Sequence, residues 1–196
     1  ENAFSLLMQC IVQLPDYLER LQNGHRDVPS VLLPLINELR SIGSHPPLTE
    51  ESVYTASTQQ PIPEDAMARI HAHQSKQSFG DLALQCQAHL LAWLNSKDDQ
   101  SAAGQLATVC EKIISQCEED ASKKLFWVAV NLLNALATGK IEPTGPLRHA
   151  LTKIDQEVNY ISNKSMGEAR HGSPVRMTQE LLYFVSLNKD ATEQLK

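Results

Sequence analysis

Apolar residues recur along most of this chain at steps of three and four, the spacing that lines one face of an α-helix. Phe4, Leu7, Met8, Ile11, Leu14, Leu18 and Leu21 share such a face over Ala3–Gln22, and Asn23-Gly24 ends the run. Asp27 is placed to cap a second helix, which carries Pro29 in its first turn and stops at Gly43. Each run holds an internal proline, Pro15 and Pro34. A proline inside a helix loses a hydrogen bond and clashes one turn back, at about 3 kcal/mol or more, so kinked or offset helices are expected.

Residues 44–63 hold Pro46, Pro47, Pro61 and Pro63 among Ser, Thr and Gln, and read as a connector with one short turn starting at Thr49. A helix over Glu64–Ser78 follows, then a break at Phe79-Gly80. Asp81–Ser96 aligns Leu82, Cys86, Leu90 and Trp93. Gln100–Glu118 aligns Leu106, Val109, Cys110, Ile113 and Cys117, and Ala121–Thr138 aligns Leu125, Val128, Ala129, Leu132 and Leu136. After the turn Pro143-Thr144-Gly145-Pro146, the residues Leu147, Leu151, Ile154, Val158 and Ile161 form the cleanest amphipathic run. A polar loop from Asn163 to Pro174 leads to a last helix around Met177, Leu181, Phe184 and Val185. No segment alternates long enough to predict a strand, so the fold class is all-α.

The layout expected is a helix pair at 1–43, the connector at 44–63, a helical bundle at 64–188 centred on 81–162, and the start of a linker at 189–196. One internal echo bears on it. Sliding the chain by 143 positions sets Phe4 on Leu147, Met8 on Leu151, Ile11 on Ile154, Gln13 on Gln156, Tyr17 on Tyr160 and Leu18 on Ile161. The helix pair therefore reads as the tail of an upstream helical unit. The chain opens on a helical pattern at Glu1-Asn2-Ala3-Phe4 with no initiator Met, as a segment of a longer protein does.

Composition narrows the classes of function. Of the 196 residues, 42% are hydrophobic and 20% charged, as in an ordinary globular protein, and the formal net charge of −6 disfavours nucleic acid and anionic membrane surfaces. No apolar run reaches membrane-spanning length. Cys10, Cys86, Cys110 and Cys117 all lie in apolar helical runs without a CxxC pair, which reads as free thiols in the cytoplasm.

Candidate chemistry is sparse. His71 and His73 lie two positions apart, about 200° around a helix, and cannot share one metal ion. A phosphotransfer histidine needs an exposed ring, with Lys three residues on and Gly four on. His73-Gln74-Ser75-Lys76-Gln77 has the Lys but places Gln where Gly should stand, so His73 is a weak phosphoacceptor candidate. Glu118-Glu119-Asp120 reads as a solvated helix-end cluster, and Trp93 and Trp127 read as core. No phosphate loop, nucleophile elbow or cofactor motif is present.

The string LMQCIVQLPDYLERLQNGHRDVPSVLLPLINELR resembles the N-terminal region of the Pil-Chp hybrid chemotaxis histidine kinase (ChpA type), which controls type IV pili and twitching motility; the related FimL scaffold family carries a similar helix pair. Gln13-Leu14-Pro15 before Tyr17 looks closer to the kinase. The similarity is sharp over residues 3–42 and looser but collinear beyond, through Leu136–Lys140 and Leu181–Val185. The resemblance implies helical units like degenerate histidine-phosphotransfer domains. It puts the phosphoacceptor position on Cys110, with Ile113 and Ile114 in place of Lys and Gly. The expectation that follows is a non-catalytic interaction module of a phosphorelay protein, cytoplasmic and recruited to the cell pole, with no cofactor. Its partners would be response regulators, polar scaffold proteins or a second copy of itself. The surface expected to meet them is the turn of the first helix pair, through Arg20, His25, Arg26 and Asp27.

Overall fold

A computed structural model describes residues 2–25, 27–54, 58, 60–72, 77–95, 99–164 and 169–187. All regular structure among them is helical. The chain divides into two compact units, residues 1–55 and 56–196.

Unit 1 is built on α1 (Asn2–Gln22), which runs through Pro15 as one helix. The missing proline N–H leaves the Ile11 carbonyl, on an exposed stretch, without its helical donor. Gly24, at φ +80°, closes α1: its N–H donates to the Leu21 carbonyl and that of His25 to the Arg20 carbonyl. This is the paired hydrogen-bond pattern that a left-handed residue after a helix permits. The next segment departs from the sequence reading. Instead of one helix with Pro34 inside, a 3-10 turn spans Pro29–Leu32 and α2 spans Leu33–Ile42, with Pro34 in the first turn of α2. A proline there removes only an N–H that has no helical partner, so the conflict with propensity disappears. Nor does Asp27 cap the turn. Its carboxylate accepts from the Tyr17 hydroxyl, and Val28 stands at the cap position with no side-chain bond. Gly43 ends α2, but Ser44 takes the left-handed conformation, at φ +53°.

The stretch expected as a connector contains α3 (Glu50–Val53), opened by reciprocal capping between Thr49 and Ser52. Asn37 holds its start, accepting from Leu48 N–H at 2.7 Å and donating to the Leu48 carbonyl at 2.9 Å.

Unit 2 contains α4 (Glu64–Ala72), α5 (Phe79–Asn95), α6 (Asp99–Ile114), α7 (Asp120–Ala137), α8 (Gly145–Thr152), α9 (Ile154–Asn163) and α10 (Pro174–Leu187). Phe79-Gly80 proves to be the first turn of α5 and not a break. Ser78 caps it, its hydroxyl accepting from Asp81 N–H at 3.2 Å and donating to the Asp81 carboxylate at 2.7 Å. The amphipathic run from Leu147 to Ile161 is interrupted at Lys153, where the N–H groups of Lys153 and Gln156 bond three residues back. Thr152 reinforces that tight turn by donating from its hydroxyl to the His149 carbonyl at 2.7 Å. The buried face survives the interruption, because Leu147, Leu151, Ile154 and Val158 all enter the core.

Helices α6 and α7 form the centre, with α5, α9 and α10 packed around them. Trp93, Leu106, Ile113, Leu125, Phe126 and Leu132 are fully buried there, and Trp127 packs partly buried against them. Burying one such side chain contributes about 1.5–3 kcal/mol, so this stripe-on-stripe packing is the main source of stability in unit 2.

Candidate functional site

The position that the family pattern gives to a phosphoacceptor lies in the centre of unit 2. Cys110 faces inward on α6 and is completely buried. Its thiol is held well above the ordinary range, first by its hydrogen bond with Cys86 and then by burial. Burial also pushes the Cys117 thiol up to about 12. Protonated thiols inside an apolar stripe are poor nucleophiles and cannot meet a phosphodonor. Cys10 is half-buried, and all four cysteines are free.

Among the described histidines, His25, His45, His149 and His171 are exposed and His89 is half-buried on α5. His73 lies outside the described residues, as does Arg26. No group of three or more His, Cys, Asp and Glu capable of holding a metal occurs among the described residues.

The turn after α1 presents Arg20, His25 and Asp27 to solvent. Its shape is set by the Gly24 turn and by the Tyr17 bond to Asp27, which ties the loop back onto the helix. Desolvation and that bond raise the Tyr17 hydroxyl pKa. Arg20 and His25 are thus neighbours along the turn, joined through a 3.1 Å backbone bond.

A second polar feature was not legible in the sequence. Arg170, in the loop before α10, donates to Glu157 on α9 through Nη2 at 2.7 Å and Nε at 3.2 Å, and to Glu119 at 2.8 Å. Ser122 on α7 donates to Glu157 at 2.6 Å, and the Arg170 guanidinium lies 4.3 Å over the Tyr160 ring. Lys164 adds a 3.2 Å ion pair to Glu119. Hydrogen bonds from Arg170 and then Lys164 hold the Glu119 carboxyl below its ordinary pKa. The Glu157 carboxylate is entirely buried, so this cluster must be satisfied as a whole for the loop to close. Of the acidic run expected in solvent, Glu118 and Asp120 are exposed as read, but Glu119 is drawn into the cluster. No local spacing in the sequence signals it, because Glu119 and Ser122 come from the start of α7, Glu157 from α9 and Arg170 from a loop.

One apolar surface also escaped the sequence reading. On α5, Leu84, Ala88 and Leu91 repeat at helical spacing on the face opposite Cys86 and Trp93, and stand exposed. An arrangement of buried thiols, a closed ion cluster and open apolar strips can bind protein surfaces.

The model of the FimL scaffold protein second domain matches residues 71–196. Over 192 residues the chain is 22% identical to the scaffold protein FimL of Pseudomonas aeruginosa, an alignment covering 96% of this chain and 33% of that protein. The chain thus spans about a third of the length of this curated relative. No solved structure matches it.

Proposed function

Because the chain belongs to the family of the FimL scaffold protein second domain, we propose that it is a non-catalytic docking module of a FimL-type scaffold in the signalling that regulates type IV pili. The observation that carries this reading is the burial of Cys110, which leaves the position that the resemblance gives to a phosphoacceptor without an accessible nucleophile. Such a module acts by presenting helix surfaces to protein partners, namely response regulators and polar scaffold proteins. The turn with Arg20, His25, Arg26 and Asp27 is the proposed contact for them. The side chains of Arg20, His25 and Asp27 are polar and exposed on a turn closed by Gly24, which favours steering and register over raw affinity.

The test is isothermal titration of the full-length protein with purified response regulators of the pilus system. Binding without phosphoryl transfer is expected, weakened by the double change Arg20→Glu and Arg26→Glu. Unchanged binding by that variant would remove the turn from the interface. A second reading is a module of the hybrid histidine kinase, favoured by Gln13-Leu14-Pro15 ahead of Tyr17. In an active phosphotransfer version of it, His73 would take acid-labile phosphate from the kinase core, and His73→Gln would abolish the label. Retained label on wild type would overturn the non-catalytic reading.

A further inference from the structure

Helix α1 carries two apolar seams. One, through Leu6, Cys10, Tyr17 and Leu21, is buried or half-buried on the side where α1 packs on α2. The other, about 100° around the helix, runs through Phe4, Leu7, Met8, Ile11, Leu14 and Leu18, which are 49–72% exposed. A single apolar side chain in water needs no explanation, but an unbroken face of six does.

The 143-residue echo says what such a face meets. Moved by that step, Phe4, Leu7, Met8, Ile11 and Leu14 fall on Leu147, Ala150, Leu151, Ile154 and Glu157, each no more than 5% exposed, and Leu18 falls on the partly buried Ile161. The open face of α1 is therefore the counterpart of the buried face of α8–α9. A second correspondence does not depend on apolar periodicity. The same step moves Tyr17 onto Tyr160 and Asp27 onto Arg170. In each unit the tyrosine near the end of the helix engages the residue ten positions on: Tyr17 donates to Asp27, and the Tyr160 ring lies under Arg170 at 4.3 Å. The shared device pins the loop that leads into the next helix. That next helix matches as well, since Pro29, Leu32, Ile36 and Leu39 align with Pro174, Met177, Leu181 and Phe184 at a step of 145, a loop two residues longer.

We propose that α1 and α2 are the closing helix pair of a second copy of the fold of unit 2, and that the open face of α1 seats on a helical layer equivalent to α5–α7 carried by the full-length chain outside residues 1–196. In unit 2, α9 packs on α5 and α7, which precede it in the chain. By the same order the missing layer lies N-terminal to α1. The chain spans about a third of its relative's length, which leaves ample room for such a layer. The partner of α1 is thus an apolar helical cradle in the same polypeptide.

Hydroxyl-radical footprinting reads this on the wild-type protein. Met8 is expected to be oxidised readily in the 196-residue chain and several-fold more slowly in the full-length protein at concentrations where it sediments as a monomer. Equal oxidation in both, protection already present in the 196-residue chain, or protection only where the full-length protein dimerises would each overturn the proposal. A photo-crosslinking residue at Ile11 of the full-length protein locates the cradle. Cross-links to sequence N-terminal to α1 are expected; cross-links to residues 56–196, or to an isotopically labelled second copy, would overturn it.

Discussion

Units 1 and 2 are written in the same helical code and use it differently. In unit 2 the stripes read from the sequence close on one another, and Leu82, Leu106, Leu132 and Leu151 lose all contact with water. In unit 1 an equally regular stripe stays open, and among its described residues only Leu6 and Leu35 are buried. Periodicity states that a face is apolar; whether that face is covered depends on what else the chain brings to it. The contrast places the large core in one unit and the longer uncovered apolar face in the other.

The largest effect that would sharpen this contrast is truncation in the core. Phe126→Ala should destabilise unit 2 by about 3–5 kcal/mol in denaturant titration. Ile11→Ala in the 196-residue chain should change stability by less than about 0.5 kcal/mol, since it removes no buried contact. Comparable losses from both changes would erase the distinction between the units.

Next comes the ion cluster of unit 2. Arg170→Ala leaves the buried Glu157 carboxylate without its cation and should cost about 3 kcal/mol, whereas Ser122→Ala should cost about 1 kcal/mol. Thermal unfolding of the two variants measures the difference. A loss below that of Ser122→Ala would show that the cluster does not close the loop.

Backbone conformation supplies a smaller pair of opposite sign. Gly139 ends α7 at φ +69°, and a Cβ there would also press on the Gln100 side chain at 2.8 Å. Gly139→Ala should therefore cost about 1–2 kcal/mol. Ser44, at φ +53°, already carries that strain, so Ser44→Gly should stabilise unit 1 by up to about 1 kcal/mol. Denaturation of each unit, followed by hydrogen exchange, checks both signs.

The smallest effect is that of pH. The Glu119 carboxyl has its folded pKa lowered by Arg170 and Lys164, so its contribution is present above the ordinary carboxylate range. It is lost as pH falls through the lowered value. With Glu119 partly exposed, the loss is screened by salt. Acid should loosen the loop before α10 first, and Glu119→Gln should flatten that dependence in loop hydrogen exchange.

Much of unit 2 was legible in the sequence because its signals are local. The buried stripes of α5, α6 and α7 follow from spacing alone, and so does the burial of Cys110, a thiol set among Leu106, Val109 and Ile113. The errors have local causes too. Pro34 was read as internal because the apolar pattern runs unbroken across a 3-10 turn that changes the register of the helix. Asp27 was read as a cap because nothing in the string shows Tyr17 reaching ten residues forward. The Arg170 cluster was invisible, since its members converge only when the start of α7, α9 and the loop before α10 meet. The open face of α1 was visible as a stripe, and its exposure belongs to tertiary structure.

Native-state hydrogen exchange of the 196-residue chain, read peptide by peptide, tests the central contrast most directly. The amides of α6 and α7 should exchange only through global unfolding of unit 2, while those of α1 exchange through far less costly local opening. Protection of α1 equal to that of α6 and α7 would contradict the account.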